Sequence, residues 1–370
     1  MGKPASTLAF LWQYLRPRPG AVRRTEVGYD RAGEALPVTL YAPVRQDAAL
    51  PGWVLLHGLT VSGREHASLD RFAAALAASG SVVFVPEIPE WKRLEPAPDS
   101  SLMTIRAAVR AIGERDDVDP DRVALIGFSF GATQAMMAAA DPECTGRLRG
   151  IAAWGGYRDF HDLCRFGVTG EHDLDGQTYR VDPDPYGRWL MLANYLTGIP
   201  GHEKHEALAA AFRTLALEAG KSGVFAGDPV HDPLKARLRR TLSPAEREFF
   251  DLAAHPATQP FPDVDRGREL AVALADAALA RDPLLDPRPF LPRVRVPTFL
   301  AHGRDDRIVP FTESLKTARE LAPGYARHCT VTELFTHSGA AGQRFGTPAH
   351  VREVVRFVGL LRGILRMSAT

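Results

Sequence analysis

The sequence predicts an α/β fold, a mostly parallel central sheet of about eight strands flanked by helices, with an inserted helical cap. Three observations carry this expectation. Short, continuous apolar runs alternate with stretches of helical spacing, the pattern of strands covered on both faces and joined by right-handed crossovers. One such run, Arg122-Val123-Ala124-Leu125-Ile126, passes through Gly127-Phe128-Ser129-Phe130-Gly131 directly into the helix-favouring Ala132-Thr133-Gln134-Ala135-Met136-Met137-Ala138. Between Tyr157 and Arg288, about 130 residues show no strand alternation, too many for one loop inside a compact domain.

In chain order, residues 1–20 form an N-terminal helical segment, residues 21–156 and 289–370 the α/β core, and residues 157–288 the helical cap or lid. Thr7 to Leu15 is apolar but interrupted by Gln13, far too short to span a bilayer, and followed by no small-residue cleavage site. It is read as a docked amphipathic helix; peripheral membrane contact, helped by Arg16, Arg18, Arg23 and Arg24, is the less favoured alternative. Val22 to Tyr29 and Leu36 to Tyr41 form a hairpin around Asp30-Arg31-Ala32-Gly33-Glu34. Trp53 to Leu56 is the next strand, Glu65 to Ala78 a helix, Ser81 to Val85 a strand and Leu102 to Gly113 a helix. Asp119-Pro120-Asp121 reads as a turn before the strand that meets Ser129. Ile151 to Trp154, Thr298 to Ala301 and Cys329 to Leu334 are the remaining strands, and Val351 to Arg366 closes the chain as a helix with basic residues in its last turn. Within the cap, helices are expected over Trp189 to Thr197, Lys204 to Ala219, Pro244 to Ala254 and Arg266 to Ala280, jointed by Pro- and Gly-rich segments. The aromatic residues Phe160, Tyr186, Trp189, Tyr195, Phe249 and Phe250 are read mainly as the cap's own core, with lining of an acyl pocket as the other reading.

The pentapeptide around Ser129 is a GxSxG motif at a strand-to-helix turn. A serine there takes up a strained backbone conformation, and glycines two residues before and after let strand and helix approach. The turn lifts the hydroxyl clear of the sheet, and the Phe130 N–H at the helix start faces developing negative charge. A nucleophile needs a base, and the base an orienting acid. Downstream, the strand ending at Ala301 opens into His302-Gly303-Arg304-Asp305-Asp306-Arg307-Ile308-Val309-Pro310, and the last strand into Phe335-Thr336-His337-Ser338-Gly339. Loops at the carboxyl ends of parallel strands share one sheet edge, so Ser129, a loop carboxylate and His337 lie at that edge, in the chain order Ser, Asp, His.

With these residues in hand, the chain resembles the α/β-hydrolase fold family. The resemblance implies an acid in a segment of the form GxxDxxVP, which Gly303, Asp306, Val309 and Pro310 match; Asp306 is therefore preferred and Asp305 is the fallback. The family's histidine often follows a glycine, whereas Thr336 precedes His337. Position supports it nonetheless, since of the 12 His this one alone lies in the loop after the last predicted strand. The strand-HG loop Trp53-Val54-Leu55-Leu56-His57-Gly58-Leu59-Thr60 resembles the family's oxyanion loop, which implies a backbone N–H from Leu59, with Thr60 beside it, as partner to that of Phe130. His57 is given a loop-organising role. A serine at the elbow argues against relatives that use aspartate there and against thiol-using dienelactone hydrolases. The resemblance implies a carboxylesterase-like serine hydrolase taking a small-molecule ester with an apolar acyl or alcohol part. An acyltransferase or peptidase with the same residues, or a catalytically silent binding protein, are the alternatives.

Composition narrows the field further. A net charge of +1 and a sequence pI near 7.8 give no reason to invoke nucleic acid. With 45% hydrophobic residues, 370 residues can bury a large core plus a cap. Cys144, Cys164 and Cys329 are isolated thiols without CxxC spacing, so neither a disulfide framework nor a zinc site is indicated, and a cytoplasmic enzyme without metal or cofactor is expected. His202-Glu203-Lys204-His205 is read as a solvated pair.

Overall fold

The computed structural model of the chain describes residues 7–18, 20–46, 48–335 and 348–368, the side chains of 348–350 excepted. Among these residues eight strands form the main sheet: β1 (Val22–Arg31), β2 (Glu34–Pro43), β3 (Leu50–Leu56), β4 (Val82–Pro86), β5 (Val118–Phe128), β6 (Gly150–Trp154), β9 (Thr298–Gly303) and β10 (Ala326–Thr332). Among the described residues, two more, β7 (Glu171–Leu174) and β8 (Gln177–Arg180), pair only with each other. The main sheet runs in the order β1-β2-β4-β3-β5-β6-β9-β10. Only β1 with β2 and β2 with β4 are antiparallel; from β4 to β10 every neighbour is parallel.

The continuous apolar runs resolve into two alternating sets. Val54, Leu56, Val123, Leu125, Ile151, Ala153 and Leu300 point into one core cluster. Their neighbours Trp53, Leu55, Ala124, Ile126, Ala152, Phe299 and Ala301 point into the other. A period of two within an unbroken apolar run is what a strand buried on both faces requires. The helices Pro98–Gly113 and Phe130–Ala139 cover the first face, and Ala67–Ala78 with Pro348–Met367 the second. Asp119-Pro120-Asp121, expected as a turn, instead belongs to β5, where the register jumps from Leu50 opposite Val118 to Gly52 opposite Val123. The bulge absorbs the proline, which has no N–H for a regular ladder.

Residues between β6 and β9 depart from the helical reading in one respect. The expected helices form, as Pro185–Tyr195, Glu206–Ser222, Pro244–Ala253 and Val264–Arg281, joined by Phe160–Thr169 and Asp232–Thr241. The β7–β8 hairpin is the correction, since no strand was expected in this span. It turns at Asp175-Gly176, with φ of 54° and 76°, the left-handed pair a two-residue hairpin needs. Five of the six singled-out aromatics, Phe160, Trp189, Tyr195, Phe249 and Phe250, are buried, continuous with the cluster on the first face of the sheet. Arg188 is buried among them at 5% exposure, donating to the carbonyls of Ala253 and Gly167 at the ends of two helices. Their C-terminal dipoles favour the guanidinium, whose pKa burial nevertheless lowers to about 10.

The N-terminal segment forms the helix Thr7–Leu15, docked through Phe10, which meets Phe72 edge-on at 5.1 Å. Phe72 packs in turn on Phe128 and Trp154, so this helix reaches the second face just beneath Ser129. Leu8, Trp12 and Leu15 stay exposed. No helix of the described residues is long and apolar enough to cross a membrane.

Candidate active site

Ser129 follows β5 immediately and is the N-cap of the helix Phe130–Ala139. Its φ of 55° and ψ of −127° lie where few residues other than glycine settle. Two main-chain bonds hold it: its N–H donates to the Trp154 carbonyl and its own carbonyl accepts from Ala132, both at 2.8 Å. The flanking glycines are required by contact rather than by flexibility. A methyl group at Gly127 would overlap the Gly131 carbonyl, and one at Gly131 the His57 carbonyl. A Cβ built on Gly58 would stand 2.9 Å from Ser129 Cβ and 3.3 Å from its Oγ. The HG loop therefore lies directly against the serine hydroxyl.

Leu59 and Phe130 occupy the positions the resemblance gives them, one in the loop after β3 and the other at the first position of the helix after β5, strands that are neighbours in the sheet. At a helix start the N–H groups have no intrahelical acceptor. His57 organises this loop. Its Nδ1 lies 2.7 Å from the Gly58 carbonyl, which can only accept, so Nδ1 carries the proton. That fixes the plane of the Gly58–Leu59 peptide and the direction of the Leu59 N–H. The ring stands edge-on to Trp91 at 5.3 Å, burial lowers its pKa to about 4, and its Nε2 has no hydrogen-bond partner among the described residues. It is a neutral structural donor.

Asp306 sits three residues beyond β9, two strands across from β5 and at the same edge. Its Oδ1 accepts from the N–H groups of Ile308 and Val309, each at 2.9 Å, and its Oδ2 lies 3.4 Å from His302 Nε2. His302, wholly buried, is held by the Val309 carbonyl at 2.9 Å and Ser314 Oγ at 2.7 Å. Asp306 is 2% exposed, whereas Asp305 faces solvent. His337 lies outside the described residues.

Sequence reasoning did not find the residues that fasten the insertion to these loops. The Tyr186 hydroxyl donates to the Leu59 carbonyl at 3.0 Å. The Asp184 N–H donates to the Arg307 carbonyl at 2.6 Å, and Arg307 Nε to the Asp182 carbonyl at 2.7 Å. Tyr186 appeared in the sequence only as one aromatic residue among several, and a contact across 127 positions leaves no local signal. His202 and His205 stand in the turn ahead of the helix Glu206–Ser222 with Nδ1 atoms 2.9 Å apart. Among the described residues, no three metal-ligating side chains stand together.

No protein-family model matches the sequence, and no curated protein matches it. Among solved structures the chain is similar to uncomplexed acylaminoacyl peptidase of Pyrococcus horikoshii, with TM-score 0.50 and 12% identity over 94% of this chain and 42% of that one. It thus spans less than half of the peptidase's length. It is also similar to Est1E of Butyrivibrio proteoclasticus with ferulic acid bound, at TM-score 0.49 and 13% identity over 93% of this chain and 100% of that one. A third likeness is to 2,6-dihydroxy-pseudo-oxynicotine hydrolase, at TM-score 0.46 and 17% identity over 97% and 72% of the two chains. At such identities a likeness speaks to fold alone. The strand order, the antiparallel second strand, the serine turn after β5 and the long insertion after β6 agree with it: this chain has the α/β-hydrolase fold.

Proposed function

We propose that the protein is a serine hydrolase that cleaves a carboxylic ester through an acyl-enzyme on Ser129. His337 takes the serine proton and returns it to the leaving alcohol, and Asp306 holds the imidazole in the tautomer this transfer needs. The N–H groups of Phe130 and Leu59 stabilise the oxyanion. Water then attacks the acyl-enzyme with His337 as base. The observation that carries this reading is the strained backbone of Ser129 at the tip of a central strand, with the Gly58 backbone against its side chain. Strain of about 1–3 kcal/mol at one residue persists where the surroundings over-determine it, and such residues cluster at active sites.

Residues 157–288 act in this reading as the cap over the edge that carries Ser129, supported by the bonds of Tyr186 and Asp184 to the loops after β3 and β9. The substrate is a small molecule with an apolar acyl or alcohol part. The thiols Cys144, Cys164 and Cys329 are free, which fits a reducing compartment such as the cytoplasm.

The decisive experiment pairs fluorophosphonate labelling with turnover of p-nitrophenyl esters of increasing acyl length. The expected result is a single adduct on Ser129 and a loss of roughly 10⁶-fold in kcat for Ser129→Ala. A folded parent that takes up no label, or an alanine variant with near-parental turnover, sinks the reading.

A further inference from the structure

Two peptide planes meet at Leu59, and each is held by a side chain of different origin. The Gly58–Leu59 plane is set from within the loop by His57 Nδ1. The Leu59–Thr60 plane is set from the insertion by the hydroxyl of Tyr186, at 3.0 Å from the Leu59 carbonyl. Tyr186 is itself well placed. It is the second residue of the helix Pro185–Tyr195, and its N–H donates at 3.0 Å to the carboxylate of Asp184, the N-cap. Its ring lies 3.7 Å from the position of a Cβ on Gly220.

The same short segment is tied to the loop that carries Asp306. Arg307 pairs with the Asp182 carboxylate, donates to the Asp182 carbonyl at 2.7 Å and stacks over Phe225 at 3.8 Å, while its carbonyl accepts from Asp184 at 2.6 Å. Residues 182–186 are therefore fastened to the loop after β3 at one end and to the loop after β9 at the other. Burial drives the Tyr186 pKa above the ordinary phenol value, so the hydroxyl remains a donor through the neutral range.

We propose that Tyr186 is a positioning residue for the reaction: by holding the Leu59 carbonyl it fixes the oxyanion loop, so the insertion completes the site as well as covering it. This rests on the serine-hydrolase reading above. A peptide group turns as a rigid plane, so fixing the Leu59 carbonyl fixes the Thr60 N–H opposite it and, with His57 on the preceding plane, leaves the backbone at Leu59 no free rotation. Oxyanion donors work because they are aimed before charge develops, and removing one costs about 10²–10³-fold in kcat. Tyr186 acts one bond further out, and its loss is expected to cost about tenfold.

The experiment is Tyr186→Phe in the full chain, which removes one oxygen and keeps the ring. Active sites are counted by fluorophosphonate titration, and p-nitrophenyl acetate turnover and inhibition by an alkylboronic acid, a mimic of the tetrahedral adduct, are measured. The expected result is a kcat about tenfold lower, a KM within about twofold, a chain still fully folded at the assay temperature and a boronate Ki that rises in step with the loss of kcat/KM. A titratable Tyr186→Phe enzyme with parental kcat and boronate affinity overturns the proposal. So does a fall in kcat with boronate affinity unchanged, because that outcome assigns Tyr186 to packing alone. A parent enzyme that never labels at Ser129 fails at the earlier step and removes the reading on which the proposal rests.

Discussion

Asp305 and Asp306 are neighbours in sequence and opposites in environment. Asp305 faces solvent, while Asp306 is buried with Oδ1 held by two backbone amides at 2.9 Å each, so its carboxylate cannot turn. An orienting acid needs that fixity, because its task is to hold one tautomer of an imidazole rather than to exchange protons. Asp306→Asn keeps the shape and an oxygen for the two amides but offers the imidazole the wrong partner. It is expected to lower kcat for p-nitrophenyl esters about 10⁴-fold, with active-site titration confirming a folded enzyme. Asp305→Asn is expected to stay within about twofold of the parent, since exposed carboxylates away from the chemistry contribute little. Equal losses in the two variants, or a silent Asp306→Asn, remove Asp306 from the role proposed for it.

The joint between the sheet and the insertion shows what the sequence disclosed at the level of elements and what it hid. The outgoing segment of the joint is clamped to the helix Thr312–Glu320, where Arg158 pairs with Glu320 and Asp162 with Lys316 at 2.5 Å, and from the returning segment Arg288 crosses to Asp159 at 2.7 Å. At the centre is Glu313, wholly buried, whose Oε2 accepts from the N–H groups of Arg158 and Asp159 at 2.9 and 2.8 Å. Burial pushes its pKa up, and Lys316 at 3.3 Å offsets this. Glu313→Ala strands one buried and one part-buried amide and should lower stability by about 3 kcal/mol, while Glu313→Gln, which keeps an acceptor oxygen, should recover most of it. Urea unfolding midpoints of the two variants decide the matter: an alanine variant as stable as the parent contradicts it. None of this was legible in the sequence, because a glutamate on a polar-looking helix gives no sign that its partners lie 154 and 155 positions away. The strands were legible for the opposite reason, since Val123 to Ile126 and Phe299 to Ala301 are apolar on both faces whatever surrounds them. The β7–β8 hairpin falls between these cases. Asp175-Gly176 is a hairpin signal in its own right, but Glu171, Asp173 and Gln177 on its strands are polar, and the helical bias of the surrounding span outweighed it. The serine, the HG loop and Asp306 could be placed because each stands at the end of a legible strand. Tyr186 could not, because its partner is set by how the insertion docks.

Across the whole molecule, several wholly or partly buried histidines are held neutral in different layers, and this gives its stability a pH dependence of definite sign. His57 lies under the serine turn, His172 of β7 between Phe166, Tyr179 and Phe311 with Thr312 Oγ1 at 3.1 Å, and His255 inside the insertion. Burial lowers each from 6.5 to about 4, with the charge of Lys316 adding to the effect at His172 and that of Arg188 at His255. The unfolded chain therefore takes up protons near pH 6.5 that the folded chain refuses until about pH 4. In that window the unfolded state binds more protons, so stability rises with pH and falls as the solution is acidified. Each such histidine is expected to contribute a loss on the order of 1–2 kcal/mol between pH 7.5 and pH 5. Urea unfolding midpoints should be flat above pH ~7 and decline through the window, before most carboxylates titrate. His172→Phe replaces a titrating ring with one that cannot be charged, among aromatic neighbours that accept it. Its midpoint is expected to fall less than the parent's between pH 7.5 and pH 5, even if its absolute stability is lower for want of the Thr312 bond. Parallel declines in parent and variant would take His172 out of this account, and a parent midpoint that does not move between those two values would mean that none of the buried rings refuses its proton.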